Sequence, residues 1–320
     1  MCTAFFAVNP RPGLRLLLLF NRDEFFDRAT APAGWWEDAP GVCGGRDLKG
    51  GGTWAGVTRS GRFALLTNFR ERCPNSVAGA PSRGELPTRF LRGTDDPLSY
   101  LNSVDASAHN GFNLVVGDVA SGVAAYLTNR GPGQPGKPIL LGPGVHGMSN
   151  GTLGGAPWAK VDRGVAEIEA LLKDGAFDGG EVPWGPLFGR VMGDTARARA
   201  DRLPATGVPP AVEAALSPTF VTACDLFGDG CVYGTRSQTG VAVFEGGDAA
   251  LVERSARTRD PNADPATWTT VEHEFDMELG GEGGGDLVIA EGGACAAPTA
   301  LAPPLPPCGT APSPPRAARG

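Results

Sequence analysis

The sequence has no apolar run long enough to cross a bilayer as a helix. The apolar stretch Leu14 to Phe20 falls far short of the roughly 20 residues a span needs. Nor does the opening read as a signal peptide. No basic segment begins the chain, and the charged run Asn21 to Glu24 stands where a small-residue cleavage site would be expected. The expected compartment is the cytosol. Basic residues number 28 against 35 acidic, a formal charge of −7, which implies no basic face for nucleic acid or anionic membrane. The seven cysteines, Cys2, Cys43, Cys73, Cys224, Cys231, Cys295 and Cys308, contain no C-x-x-C pair, so a zinc site is not expected. Their odd count and irregular spacing argue against a disulfide framework. Cys224 and Cys231 flank the turn-like FGDG and read as small core residues. The glycine-rich segment Gly44 to Trp54 matches neither a P-loop nor a dinucleotide fingerprint. Its glycines read instead as places where backbone approaches a ligand or another strand closely.

What the chain does have is a cysteine directly behind Met1. The Cys2 side chain is small enough for Met1 removal to be expected. Removal leaves one residue carrying a thiol nucleophile and an α-amine, whose ordinary pKa of ~7.7–8.0 suits a base at working pH. Thr3 to Val8 and Leu14 to Phe20 read as two strands, the second apolar enough to be buried on both faces. Asn9, Pro10, Pro12 and Gly13 between them are turn formers. Pairing Val8 with about Leu14 puts Cys2 opposite Phe20 or its next neighbour, with a slip of one or two positions open. The run Asn21-Arg22-Asp23-Glu24 then arrives beside Cys2.

Further along, Trp35 to Ala39 reads as a loop. Thr53 to Thr58 with Phe63 to Asn68, and Phe112 to Val116 with Val123 to Leu127, read as hairpins. Short helices are expected over Leu86 to Leu91 and, behind an Asp96-Pro97 start, over Leu98 to Val104. Ile139 to Leu141 is a short strand. Trp158, Val161, Val165, Ile168 and Leu172 recur at helical spacing, and a second helix spans about Trp184 to Met192. Asp194 to Pro218, polar and carrying prolines, reads as a connecting loop or short helices. Strands resume at Phe220-Val221, Cys231 to Thr235, Gly240 to Phe244, Ala250 to Glu253 and Trp268 to Glu274. The order β, then α, then β predicts an α+β domain of antiparallel sheets over residues 1–279. From Gly280 to Gly320, Gly, Ala and Pro dominate, and the expectation is a disordered tail.

The chemistry these residues could perform is acyl transfer. A Cys2 thiol would attack an amide carbonyl while its α-amine manages the proton. Asp23 could hold that amine, and Arg22 could lower the thiol pKa or bind an anionic substrate. Asn68 and Asn150 are neutral donors of the kind that stabilise an oxyanion. Arg236, within a run of hydroxyls in YGTRSQT, is a further candidate.

The ordered segments MCTAFFAV, LLLLFNRDEFFDR, GGRDLKGGGTWAGV, ALLTNFRE, SRGELPTRFL, FNLVVGD, GMSNG with Trp158 and Lys160, and YGTRSQT closely resemble the NRDE family, that of the Transport and Golgi organization protein. The likeness runs from Met1 to about Glu274. It implies roles in Golgi organisation and protein secretion, and in haem mobilisation and lipid homeostasis, at cytosolic, Golgi or mitochondrial locations. A more distant likeness is to N-terminal-nucleophile amidohydrolases of the choloylglycine hydrolase type. It implies an αββα sandwich with Cys2 as nucleophile, Arg22 near it, Asp23 on the amine, Asn150 in an oxyanion role and Arg236 supporting the thiol. In those hydrolases the arginine and aspartate are three residues apart. Here they are adjacent and would point to opposite faces of a regular strand. A bulge or strand end could reconcile this, or Asp27 could be the counterpart. Three functions stay open: a cysteine hydrolase of non-peptide C–N bonds that needs no cofactor; a trafficking protein for haem or a lipid-like ligand, with Cys2 as axial ligand and His146 assisting; and a secretion adaptor that uses the tail.

Overall fold

The computed structural model describes residues 2–72, 77–131, 135–155, 158–226, 228, 230–256 and 268–279. The expected tail and Cys73, Cys295 and Cys308 lie outside the described residues. Two antiparallel sheets of seven strands each are described. The first carries β1 (Thr3–Arg11), β2 (Leu14–Phe25), β10 (Gly144–Met148), β11 (Cys224–Asp225), β12 (Val232–Phe244), β13 (Asp248–Ser255) and β14 (Thr269–Asp276). Its order is β10-β1-β2-β12-β13-β14, with β11 on β12. The second runs in chain order through β3 (Thr30–Trp36), β4 (Ala39–Asp47), β5 (Ala55–Thr58), β6 (Arg62–Asn68), β7 (Phe112–Asp118), β8 (Val123–Thr128) and β9 (Ile139–Leu140).

Strand β2 shows why the sheets stack. Leu16, Leu18 and Phe20 face Val57, Phe63, Leu65, Val115 and Tyr126 of the second sheet. Leu17 and Leu19, on the other face, pack under Ile168, Leu171, Leu187 and Val191. A strand sandwiched between two layers must be apolar on both faces, and each fully buried Leu or Phe contributes ~1.5–3 kcal/mol. The helix α3 (Ala159–Lys173) and a short helix α4 (Trp184–Pro186), which runs into a π-helical turn over Leu187–Val191, cover the first sheet. Helices α1 (Glu85–Arg92) and α2 (Pro97–Ser103) cover the second through Leu86, Phe90, Tyr100 and Leu101. The layers are therefore αββα, the architecture expected from the sequence.

The Asp96-Pro97 start behaves as its chemistry predicts. The Asp96 carboxylate accepts from Leu98 N at 3.1 Å and Ser99 N at 3.0 Å. The glycine-rich segment is a seam between elements: a Cβ on Gly44 would meet the Ala55 carbonyl at 2.6 Å, and one on Gly52 the Gly84 carbonyl at 2.3 Å. Two sequence expectations are corrected. Trp35 to Ala39 is not a loop but the tip of the β3–β4 hairpin, with Trp36 paired to Ala39. The separate strands expected at 231–235 and 240–244 are one long strand, β12. A final helix, α5 (Pro210–Ala215), falls in the expected connection.

Candidate active site

The opening hairpin positions everything else. Its turn is at Pro12-Gly13, with Gly13 at φ 85°, and Val8 pairs with Leu16 rather than Leu14. Thr3 faces Asn21, so Cys2 arrives beside Arg22, two positions beyond Phe20. Ser149, at the end of β10, holds the Cys2 backbone by donating to its carbonyl at 3.0 Å.

On its other side β2 pairs with β12, and here the regular alternation breaks. Asp23 faces Thr235 while Arg22 faces Ser237, so Arg236 is an extra residue in β12, a β-bulge. Arg22 and Asp23 both line a cavity of about 440 Å³ together with Cys2. Asn68, Asp47, Trp54, Thr53 and Arg83 complete much of its wall. The ends of β2 and β6 thus converge on one site.

Arg22 is fixed on three sides. It donates to Asp47 at 2.8 Å and to the Thr30 hydroxyl at 3.1 Å, and its guanidinium lies 4.3 Å from the Trp54 ring centroid. Asp47 also accepts from Arg28 at 2.5 Å. These charge-assisted bonds hold the Asp47 carboxyl below its ordinary range even though burial pushes it up. Arg83 enters from the loop before α1, anchored to the Gly111 carbonyl at 3.0 Å.

Behind Cys2 the wall is charged and dry. Asp23, Arg70, Lys160 and Glu213 are all at most 3% exposed. Asp23 accepts the Thr235 hydroxyl at 2.7 Å, and its backbone carbonyl accepts the Tyr233 hydroxyl at 3.0 Å. Arg70 forms a buried ion pair with Glu213 and donates to Asn150 Oδ1 at 3.3 Å. Burial pushes the Asp23 carboxyl up, opposed by Lys160, Thr235 and Arg70. Burial also pushes the Cys2 thiol up; the Asp23 charge adds to this, while the Asp23 backbone N–H and Arg22 oppose it.

The remaining sequence candidates are placed as follows. Asn150 is fully buried behind Asn68, donating to its backbone carbonyl at 2.7 Å, and is not part of the cavity lining. Arg236 turns away from the cavity to donate to the Phe25 and Arg28 carbonyls at 3.1 and 2.5 Å. It shapes the site through the bulge. Asp27 is exposed in the turn after β2 and lies outside the lining. His146 is corrected as a partner of Cys2. It pairs with Phe6, stacks on that ring at 5.2 Å and lines a different cavity. Four positions along a strand separate it from Cys2 by about 13 Å. Sequence reasoning gave no role to Asp47, Arg83, Lys160 or Glu213, which sit on distant elements and carry no local spacing signal.

The class defined so far is an αββα sandwich with a cysteine at position 2 in a charged cleft. The pattern of the Transport and Golgi organisation 2 family matches residues 1–258, and the chain belongs to that family. The Transport and Golgi organization protein 2 homolog of Bos taurus is 35% identical over 294 residues, 87% of this chain and 100% of that protein. The Homo sapiens homolog is 34% identical over 295 residues, with the same coverage. Among solved structures, the C2A mutant of conjugated bile acid hydrolase from Clostridium perfringens superposes with a TM-score of 0.44 at 11% identity, over 87% of this chain and 93% of that one.

Proposed function

We propose that Cys2, once Met1 is removed, is the nucleophile of an N-terminal cysteine hydrolase acting on a non-peptide C–N bond of a small acyl amide. The observation that carries this is the convergence of Cys2, Arg22, Asp23 and Asn68 on one cavity. In this reading the neutral α-amine takes the thiol proton as sulfur bonds to the carbonyl carbon. Asn68 stabilises the oxyanion, and Asn150 positions the Asn68 backbone. Collapse breaks the C–N bond, the α-ammonium returns its proton to the leaving amine, and water cleaves the thioester. Asp23 holds the amine. No cofactor enters any step.

The relatives' names speak of transport and Golgi organisation. We assign this chain a role in Golgi organisation and secretion, exercised on a lipid-like acyl compound, in the cytoplasm at Golgi or mitochondrial membranes. Among the described residues no helix is long and apolar enough to cross a bilayer. Intact mass and labelling decide the chemistry. The mature protein is expected to lack Met1, and a thiol-reactive acyl probe is expected to label wild type but not Cys2→Ala. Active protein that retains Met1 overturns the reading. Haem trafficking is the competing use of the same cleft, with Cys2 as the thiolate ligand. It requires a haem absorption band that shifts in Cys2→Ala.

A further inference from the structure

Arg22, Arg28, Lys49 and Arg83 are the basic residues in the lining of the Cys2 cavity. Two of them are neutralised within the fold. Arg22 pairs with Asp47 at 2.8 Å, and Arg28 pairs with Asp47 at 2.5 Å and with Glu24 at 3.7 Å. Lys49 is exposed, so water solvates its ammonium. Arg83 is different. It is half-buried, and among the described residues its guanidinium forms no ion pair and one hydrogen bond, from Nη1 to the Gly111 carbonyl at 3.0 Å. The acids that act on it are committed elsewhere, Glu71 to Arg130 at 3.1 Å and Glu24 to Arg28. Nη1 is thus tied, while the Nε–Nη2 edge has no protein acceptor. That edge is a side-on fork whose spacing matches two oxygens of a carboxylate or phosphate.

The fold also holds this arginine in place. Leu86 N donates to the Arg83 carbonyl at 3.0 Å, and the next carbonyl, that of Gly84, accepts from Thr53 N at 3.2 Å. Partial burial removes hydration that no protein carboxylate restores, and it pulls the Arg83 pKa down. We propose that Arg83 is the specificity residue of the Cys2 site, whose Nε–Nη2 edge takes an acid group, a carboxylate or a phosphate, on the compound bound there. This rests on the hydrolase reading above for one point only, that the bound compound is an amide cleaved by Cys2. Sequence reasoning offered Arg22 for an anionic substrate, but Asp47 and Thr30 already occupy that guanidinium. A compound without the acid group leaves the Arg83 fork unpaired in the closed cavity, and the site discriminates against it for that reason.

Calorimetric titration of the full chain carrying Cys2→Ala, so that no probe is cleaved by the thiol, tests this. Each acid is compared with a neutral partner: N-octanoylglycine with N-octanoylglycinamide, and octyl phosphate with octanol. At least one acid is expected to bind about tenfold or more tightly than its partner, and the tighter acid tells carboxylate from phosphate. Adding Arg83→Gln is expected to abolish that preference while the neutral partner binds as before. Arg83→Lys keeps the charge without the fork and is expected to retain only part of the preference. Lys49→Gln, in the same lining, is expected to retain all of it. If Arg83→Gln does not fold, the contrast between Arg83→Lys and Lys49→Gln decides. The proposal is overturned if neither acid outbinds its partner, if the preference is intact in either Arg83 variant, or if Lys49→Gln abolishes it. An acid preference in a protein whose wild-type Cys2 is inert to the acyl probe would sink the hydrolase reading and leave the Arg83 contact standing. A labelled Cys2 without an acid preference would sink the Arg83 assignment alone.

Discussion

Arg22 and Asp23 are covalent neighbours on β2 whose side chains leave on opposite faces: Arg22 goes to Asp47 and Trp54 of the second sheet, Asp23 to Thr235 and the helical layer of Lys160. That is the alternation of a regular strand. The extra residue Arg236 lies in β12, between Thr235 on Asp23 and Ser237 on Arg22, and places the Thr235 hydroxyl on the Asp23 carboxylate.

Deleting Arg236 should therefore do more damage than truncating it. The deletion closes the bulge and turns Thr235 and Tyr233 away from Asp23, because a one-residue slip flips every side chain. Arg236→Ala loses mainly its bonds to the Phe25 and Arg28 carbonyls, at a cost of about 1–2 kcal/mol. Denaturant melts of both variants check this, and equal losses would refute the bulge account.

The Arg70–Glu213 pair, about 2% exposed on each side, predicts a coupled mutational response. Glu213→Ala removes the ion-pair partner of a buried guanidinium and should lower stability by ~3–5 kcal/mol. Adding Arg70→Met to that variant should recover part of the loss, since the buried charge is removed. A strictly additive double-mutant cycle would contradict this.

Glu253 supplies a pH test. It is 1% exposed between the sheets, accepting from Ala33 N at 2.8 Å and from the Thr239 hydroxyl at 2.9 Å. Burial raises its carboxyl above the ordinary 4.5. A raised carboxyl contributes stability that is complete below pH 4.5 and is lost as pH climbs through the folded value. Glu253→Gln cannot titrate, so at pH 7 it should be more stable than wild type, and this advantage should vanish below pH 4.5. Parallel melting curves across that range would show the carboxyl to be unperturbed.

Close packing of α3 gives a fourth expectation. A Cβ on Gly164 would sit 2.1 Å from the Phe5 ring, and one on Gly147 would sit 2.6 Å from Val161. Gly164→Ala should destabilise by ~1–3 kcal/mol despite the better helix propensity of alanine. A more stable Gly164→Ala would mean that α3 can move off β1 without cost.

Much of the site was legible because its first half is local. One hairpin brings Asn21 to Glu24 to Cys2, and that follows from two apolar runs around a Pro-Gly turn. The αββα layering was legible from the resemblance and from the two-faced apolarity of Leu16 to Phe20. The β3–β4 hairpin was missed because its turn, Glu37-Asp38, contains neither glycine nor asparagine. His146 was misassigned because nothing local to its sequence reports which cavity its strand lines.

The amino-acid order by itself determined which residues could meet within a hairpin, which strands had to be buried on both faces, and the family to which the chain belongs. Tertiary structure decided the rest: the bulge at Arg236, the clamp on Arg22 by Asp47 and Trp54, and the burial of Lys160 and Glu213 behind Asp23. Local patterns encode backbone period and turn chemistry over a few residues. The charges that act on Asp23 include Arg70 and Lys160 from distant elements, and only their packing into one desolvated wall gives them force.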